Sequence, residues 1–214
     1  MPAKIAQLIA GYQQFHQQYF QHDDGDFQKL VREGQSPSVA IIACSDSRVD
    51  PSIVMDSKLG ELFVIRNVAN LVPPFQPDDH TYHGTSAALE FAVKILQVKH
   101  VIVFGHSKCA GIRALMEDNQ PKSGAQSFIR SWMNIASDVR QEVIAHHHDA
   151  SLEHQSGVCE RKAVEKSLAN LATFPFVQER IEEKNLFLHG WHFDLDEGHM
   201  RCFDPVVGDW KALV

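Results

Sequence analysis

Three residues in the sequence are of types that bind a transition metal: Cys44, His106 and Cys109. Two thiolates and one imidazole form the ligand set of a catalytic Zn²⁺ that keeps a further position open. His106 and Cys109 are three residues apart in a turn that opens a predicted helix, so both can face one point. Cys44 can reach that point only if its strand neighbours the strand before His106. Cysteine and histidine that merely pack a helix are the alternative for this pattern.

Asp46 and Arg48 lie beside Cys44 in the same short turn. An adjacent Asp and Arg on a loop usually form a surface ion pair that contributes little to stability. Here one turn supplies a thiolate, a carboxylate and a guanidinium that can clamp the carboxylate with two hydrogen bonds. A carboxylate next to a metal site can bind the metal, or pair with the arginine and accept a hydrogen bond from metal-bound water. The turn therefore favours a catalytic role for Asp46 and Arg48.

Strands are predicted immediately before both reactive turns. Residues 39–43 and 101–104 are nearly continuous apolar runs, as in parallel strands that are covered on both faces. Further strands are predicted at 62–65, 186–193 and 200–206, and helices at 3–20, 27–32, 85–97, 127–145 and 159–172. Ligands of open α/β sheets bind outside the carboxyl ends of the strands. Both turns therefore fall where a site is expected.

These elements predict an α/β fold with a mostly parallel central β-sheet flanked by helices, and with an N-terminal helical arm. No internal repeat or low-complexity linker divides the chain. Residues 1–214 are therefore predicted to form a single domain, with the arm at 1–34 and the α/β core at 35–214. The arm carries an apolar stripe, which we expect to dock on the same or on a neighbouring subunit.

The composition excludes several classes of protein. With 20 basic and 27 acidic residues the formal charge is −7, so no nucleic-acid partner is expected. No apolar run approaches the roughly 20 residues of a membrane span, so no membrane partner is expected either. The N-terminus lacks the pattern of a secretory leader, which predicts a cytoplasmic protein. Four cysteines are too few for a disulfide scaffold, and Cys159 and Cys202 are predicted to be small packing residues.

Three segments taken together resemble the β-class carbonic anhydrases. They are Cys44-Ser45-Asp46-Ser47-Arg48, residues 61–70, and Gly105-His106-Ser107-Lys108-Cys109. The motifs stand in the family's order and at its spacing from about Gln35 to Met116, and a weaker resemblance continues through residues 188–191. The combination is highly specific, although none of its parts is.

The resemblance implies a zinc enzyme that reversibly hydrates carbon dioxide to bicarbonate and a proton, by attack of zinc-bound hydroxide. By that likeness Cys44, His106 and Cys109 bind one Zn²⁺ per chain, and Asp46 and Arg48 form a catalytic pair that orients the water or hydroxide. Two thiolates offset the charge of the ion, so we expect activity to rise on the alkaline side. The family also implies a homodimer or a higher homo-oligomer.

The resemblance further assigns a substrate pocket of the plant-like subtype to Gln35, Phe63, Val68 and Phe91. Apolar walls suit CO₂, and a single donor suits the developing bicarbonate. Phe91 departs from the frequent tyrosine of the family, so a hydroxyl is lost but the wall is kept. Taken alone, the three apolar residues would be core residues and Gln35 a polar loop residue. In the family such pockets form at a dimer interface.

A second subtype of the family has an inhibitory bicarbonate pocket built on Trp, Arg and Tyr. The matching positions here are Ile41, Arg66 and Phe193, so only the arginine is kept. We therefore predict that this allosteric site is absent. We also predict an open resting site with water on zinc, rather than one closed by Asp46. Arg66 is interpreted as a structural ion pair.

Two alternatives use the same residues. One is hydrolysis of another small heterocumulene, such as carbon disulfide, which would differ in access to the metal rather than in the ligands. The other is a zinc-binding protein without turnover, for which damage to Asp46 or Arg48 is expected; both are intact. A phosphate-binding loop is disfavoured, because residues 105–108 lack the spacing of the phosphate-cradling motif.

Overall fold

The amphipathic residues 3–20 form the first helix of the chain, as predicted. The computed structural model describes residues 2–20, 25–77, 80–117 and 127–213. The chain divides into two compact units, Met1–Ser36 and Pro37–Val214, so the division lies close to the predicted end of the arm at residue 34. The N-terminal unit holds helices α1 (Ala3–Phe20) and α2 (Asp26–Glu33). A single domain over residues 1–214 stays a prediction.

Aromatic side chains join the two helices of the N-terminal unit. Phe15 on α1 meets Phe27 on α2 edge to face, with ring centroids 5.7 Å apart. Nearer the start of α1 the apolar stripe is uncovered, with Leu8 60% and Tyr12 63% exposed. None of the 18 residues of α1, all of which are described, is buried. Within the N-terminal unit this part of the stripe is therefore left without an apolar cover.

Six strands of the described residues form one sheet, in the order β2-β1-β3-β4-β5-β6. They are β1 (Val39–Cys44), β2 (Leu62–Asn67), β3 (His100–His106), β4 (Phe187–Phe193), β5 (Met200–Asp204) and β6 (Asp209–Ala212). The first four strands in this order are parallel, and β5 and β6 are antiparallel to their neighbours. The predicted mostly parallel sheet is confirmed. The strand expected at 200–206 ends at Asp204, and a turn leads from there to β6, which was not predicted.

Helices cover both faces of the sheet. Those of the α/β unit, within its described residues, are α3 (Pro51–Val54), α4 (Gly84–Glu90), α5 (Ala110–Met116), α6 (Phe128–Met133), α7 (Ser137–His146), α8 (Leu152–Leu171) and α9 (Pro175–Glu182), with 3₁₀ turns at Val68–Asn70 and Asn134–Ala136 and a π turn at Phe91–Ile95. The helix expected at 127–145 is thus divided in two. The helix expected at 159–172 begins at Leu152 instead, because Ser151 caps it by accepting a hydrogen bond from the His154 N–H. In the parts of the chain that are described, no helix is long and apolar enough to cross a membrane.

Successive side chains of β1 point to opposite faces of the sheet and belong to two separate core layers. Ile41 and Ala43 belong to one layer, together with residues of α5 and α7. Ala40 and Ile42 belong to the other, together with residues of α4 and α9. All four side chains are fully buried. A strand that is covered on both faces is apolar at every position, which explains the continuous apolar run in its sequence.

The strand order brings the two reactive turns side by side. β1 pairs directly with β3, and Ala43 lies opposite Phe104 in the register. The carboxyl ends of both strands therefore meet at one edge of the sheet. The strand of Cys44 thus neighbours the strand before His106, which is the arrangement that Cys44 needs to approach His106 and Cys109.

Close packing of α8 on β3 leads to a prediction for stability. A Cβ on Gly105 would lie 2.6 Å from Cγ2 of Val164, well inside van der Waals contact. We expect Gly105→Ala to lower the free energy of unfolding by about 1–3 kcal/mol, because helix and strand must move apart. Gly157→Ala on α8 meets no atom within 4 Å and is expected to raise it by about 0.5–1 kcal/mol. Urea unfolding measures both variants, and a Gly105→Ala variant no less stable than the wild type would contradict this packing.

Candidate metal centre

The turns after β1 and β3 bring the three predicted metal ligands together. Cys44 is the last residue of β1, His106 is the last of β3, and Cys109 directly precedes α5. The two Sγ atoms are 3.9 Å apart. One ligand atom from each residue lies within 4.8 Å of the others, and all three residues are buried. Among the described residues this is the one group of at least three His, Cys, Asp or Glu side chains that could hold a metal ion.

His106 presents a free lone pair to this cluster. Its Nδ1 lies 2.8 Å from the carbonyl oxygen of Ser107. A carbonyl oxygen can only accept, so Nδ1 carries a proton, and in the neutral ring this leaves the lone pair on Nε2. The Nε2 atom is buried and has no hydrogen-bond partner within the described part of the chain. A buried polar atom without a partner is costly, and a metal ion would satisfy it.

The separation of the two sulfurs fits zinc. Tetrahedral Zn–S bonds of about 2.3 Å place two thiolates about 3.8 Å apart, close to the observed 3.9 Å. The two thiols also perturb each other, because the hydrogen bond between them lowers the pKa of Cys44 and raises the pKa of Cys109. A cation between them removes this conflict, since both sulfurs can then be thiolates. The donor set therefore fits a Zn²⁺ ion.

Asp46 and Arg48 form a two-pronged ion pair in the turn that follows Cys44. Arg48 Nε donates to Asp46 Oδ1 at 3.0 Å, and Nη2 donates to Oδ2 at 2.7 Å. Nη2 also donates to the Lys108 carbonyl oxygen at 3.1 Å, which ties the two reactive turns together. The Arg48 hydrogen bonds hold the pKa of the Asp46 carboxyl well below its usual range. Asp46 is therefore ionised at neutral pH.

Arg66 on β2 braces the turn that carries Cys44 and Asp46. Its Nη2 donates to the carbonyl oxygens of Cys44 at 2.8 Å and of Asp46 at 2.7 Å. Its Nη1 donates to the Asp50 carboxylate at 2.8 Å, so the ion pair expected from the sequence is present. The two contacts to carbonyl oxygens were not anticipated. They fix the backbone of both residues.

Removal of the Arg66 brace gives a second prediction for stability. Arg66→Ala is expected to lower the free energy of unfolding by about 1.5–3 kcal/mol, because partly buried acceptors lose a charged donor. Arg113→Ala, which removes an exposed pair with Glu117, is the matched control and is expected to cost less than about 0.5 kcal/mol. Urea unfolding compares the two variants. A cost for Arg66→Ala no greater than that of the control would show that the brace is not structural.

The residues assigned to the substrate pocket stand on two faces of the sheet. Val68 packs against the core layer that contains the two metal-site cysteines. Phe63 packs against the other layer, and its ring stacks on Phe91 with centroids 5.9 Å apart. Phe91 is 42% exposed. Gln35 is exposed and lies in the N-terminal unit.

Sequence reasoning missed Glu160, a carboxylate on α8 next to the metal cluster. Glu160 is only 4% exposed, and its Oε1 accepts a hydrogen bond from the Cys109 N–H at 2.9 Å. A signal was present in the sequence, because Glu160 shares a helical stripe with the apolar Ala163 and Val164. An acidic residue on the buried face of an amphipathic helix indicates a specific internal partner.

Contacts from the β4–β5 turn were missed as well. Ser107 Oγ accepts a hydrogen bond from the Leu195 N–H at 2.8 Å. Lys108 forms an exposed ion pair with Asp196. These two contacts thus connect the turn between β3 and α5 to the segment that follows the carboxyl end of β4.

Known proteins similar to this chain share both its sequence and its fold. A sequence model of the carbonic anhydrase family matches residues 39–200. Beta carbonic anhydrase 3 of Arabidopsis thaliana is 36% identical over 210 residues, which cover 97% of this chain and 79% of that protein. The structure of the β-carbonic anhydrase CcaA superposes with a TM-score of 0.89 at 32% identity, covering 99% of this chain and 93% of that one. A structure from a study of two tetrameric β-carbonic anhydrases of Sordaria macrospora gives a TM-score of 0.74 at 28% identity, covering 98% and 96%.

Proposed function

Because this chain belongs to the β-carbonic anhydrase family, and is thus a carbonic anhydrase and a lyase, we propose that it reversibly hydrates CO₂ to bicarbonate and a proton. One Zn²⁺ per chain is held by Cys44, His106 and Cys109. The observation that carries this proposal is the buried cluster of two sulfurs and one imidazole nitrogen without a partner. Two residues after Cys44 in the chain is the Asp46 carboxylate, which Arg48 holds through two hydrogen bonds.

In the proposed mechanism, side chains of the protein orient the water that the bound metal would activate. Bound Zn²⁺ supplies a Lewis acid that lets a water lose its proton near neutral pH. Asp46, being ionised, accepts a hydrogen bond from the attacking water and so turns an oxygen lone pair toward CO₂. Arg48 holds that carboxylate in one orientation through two hydrogen bonds. Orientation of this kind lowers the barrier, because the reacting atoms need not be ordered during the reaction.

We propose that the resting site is open rather than closed by Asp46. Both carboxylate oxygens of Asp46 are already bound by Arg48. The positions that would complete an inhibitory bicarbonate pocket are Ile41 and Phe193, and both pack in the apolar core. The donors of Arg66 are engaged by the turn itself. Activity is therefore expected near pH 7 and should rise with pH.

A homodimer is the smallest active form in this proposal. Phe63 and Phe91 lie on the opposite face of the sheet from Val68, and Phe91 is exposed. We propose that their apolar surface lines the substrate pocket of a second copy of the chain. The assignment of Gln35 to the substrate pocket stays a prediction from the sequence. The uncovered stripe of α1 offers a further apolar contact. Sedimentation analysis tests this, and an active monomer would contradict it.

Stopped-flow CO₂ hydration from about pH 6.5 to about pH 9, with zinc counted per chain on the same sample, tests the proposed function. One zinc per chain, with turnover near pH 7 that rises with pH, supports it. Zinc without hydration at any pH contradicts it, and hydrolysis of carbon disulfide by that sample would then favour the heterocumulene hydrolase. Turnover that begins only above about pH 8 would contradict the open resting site but not the proposed CO₂ hydration.

A further inference from the structure

Glu160 is a buried carboxylate that the proposed mechanism does not use. It lies on α8 and is 4% exposed. Withdrawing a carboxylate from water costs several kcal/mol unless hydrogen bonds compensate. Its function must therefore be sought in the groups that its two oxygens contact.

One oxygen of Glu160 binds the backbone of a proposed metal ligand. Oε1 accepts a hydrogen bond from the Cys109 N–H at 2.9 Å, in a buried setting. Oε2 lies 3.8 Å from Nε2 of His192, a buried ring on β4. That second distance is too long for a hydrogen bond. The close contact of Glu160 is therefore the one to Cys109.

Cys109 needs an acceptor from outside its own helix. It is the N-cap residue of α5, with φ −70° and ψ 116°, and its side chain makes no capping hydrogen bond. The N–H of an N-cap residue lies outside the helical hydrogen-bond pattern. Without Glu160 this buried N–H would lose its acceptor. Glu160 therefore holds the backbone of Cys109, whose Sγ lies 3.9 Å from the Sγ of Cys44.

The helix that carries Glu160 is a rigid support. α8 has 20 residues, and its Cys159 and Ala163 belong to the core layer that contains Cys109. The same helix lies so close to β3 that Gly105 has no room for a side chain. Arg66 holds the Cys44 carbonyl oxygen in a corresponding way. Each of the two cysteines is thus anchored at its backbone by a charged side chain from another element.

We infer that Glu160 is a positioning residue for the metal centre: its hydrogen bond to the Cys109 N–H holds the Cys109 thiolate in place and slows the loss of Zn²⁺. The inference rests on the proposed zinc function and deepens it. What matters for zinc retention is that an oxygen of residue 160 accepts the hydrogen bond from the Cys109 N–H, and the negative charge of the carboxylate is secondary. A neutral side chain that keeps the oxygen should therefore serve as well.

Zinc release from the zinc-loaded protein, followed by transfer to an excess of a chromophoric chelator, tests the inference. Glu160→Leu removes the acceptor while keeping most of the volume, and release is expected to be about 10–100-fold faster. Glu160→Asp keeps the charge but draws the oxygens back by one methylene, and should also accelerate release. Glu160→Gln keeps an acceptor oxygen and should release zinc within about threefold of the wild-type rate.

Glu165→Leu on the same helix is the matched control. Glu165 accepts a hydrogen bond from Trp210 Nε1 at 2.8 Å, so its loss perturbs α8 without touching Cys109. Its zinc release should equal that of the wild type. A merely structural role of Glu160 would make the release rate follow the loss of unfolding free energy, so Glu160→Asp and Glu165→Leu variants of equal stability would release zinc equally fast. A positioning role makes release from Glu160→Asp faster than from a Glu165→Leu variant of equal stability, and this comparison does not need Glu160→Leu to fold.

Wild-type release rates in both Glu160→Asp and Glu160→Leu would overturn the inference while leaving the zinc function standing. Release from Glu160→Gln as fast as the accelerated release from Glu160→Asp would overturn it too, because a neutral acceptor oxygen would then not be sufficient to hold Cys109. A wild-type chain that binds no zinc would overturn the proposed function, and the inference with it.

Discussion

Replacing Cys109 with serine is expected to remove zinc from the protein and to reduce CO₂ hydration to below about 1% of the wild-type rate. A serine hydroxyl is not ionised at neutral pH, whereas the thiolate supplies one of the two negative charges that hold the ion. The remaining Cys44 and His106 provide two ligands, too few for a tight zinc site. Zinc per chain, measured by mass spectrometry on the sample used for stopped-flow kinetics, checks both parts of the prediction.

Cys202→Ser is the control for this substitution. Cys202 lies on β5 opposite Trp191 and is partly buried, so the same chemical change is made away from the metal cluster. It should leave zinc content and turnover unchanged. Full zinc occupancy with normal turnover in Cys109→Ser would remove Cys109 from the ligand set.

Asp46→Asn is expected to keep zinc and to lower kcat at least about 100-fold. The amide has nearly the same shape as the carboxylate, so the fold and the three metal ligands should persist. It offers one acceptor oxygen in place of two, and its NH₂ group is a donor that cannot accept from Arg48, so the two-pronged pair is lost. The attacking water then no longer has a charged acceptor held in one orientation. Stopped-flow kinetics combined with zinc analysis separates this outcome from simple metal loss.

Asp138→Asn provides the comparison. Asp138 forms an ion pair with Lys166 between α7 and α8, so the same change is made outside the site. Its turnover should match the wild type. An unchanged kcat in Asp46→Asn would remove the catalytic role of Asp46, and loss of zinc in that variant would assign Asp46 to the metal instead.

The meeting of Cys44, His106 and Cys109 could be predicted because strand position determines it. Continuous apolar runs marked β1 and β3 as buried parallel strands, and the residues that follow such strands lie at one edge of the sheet. Asp46 and Arg48 are two residues apart, so their pairing is a local property of one turn. Local chemistry and strand ends are the features that a sequence shows directly.

The supports of the site could not be predicted, because they depend on pairings between distant segments. Arg66 was expected to form an ion pair, but its bonds to the Cys44 and Asp46 carbonyls require the register of β2 on β1. Glu160 reaches Cys109 from a helix some fifty residues further along. The face on which Phe63 and Phe91 stand follows from strand alternation and from the π turn that begins at Phe91. The sequence of α8 indicates that Glu160 is a buried acid with an internal partner, but no local pattern indicates which partner Glu160, Arg66 or Phe63 meets.

X-ray absorption at the zinc edge of the wild-type protein tests the central claim most directly, because it reports the atoms bound to the metal. With Cys44, His106 and Cys109 as ligands, we expect two sulfur neighbours at about 2.3 Å and two nitrogen or oxygen neighbours at about 2.0–2.1 Å. A metal shell with no sulfur, or with three or more sulfurs, would contradict the ligand set and the mechanism built on it.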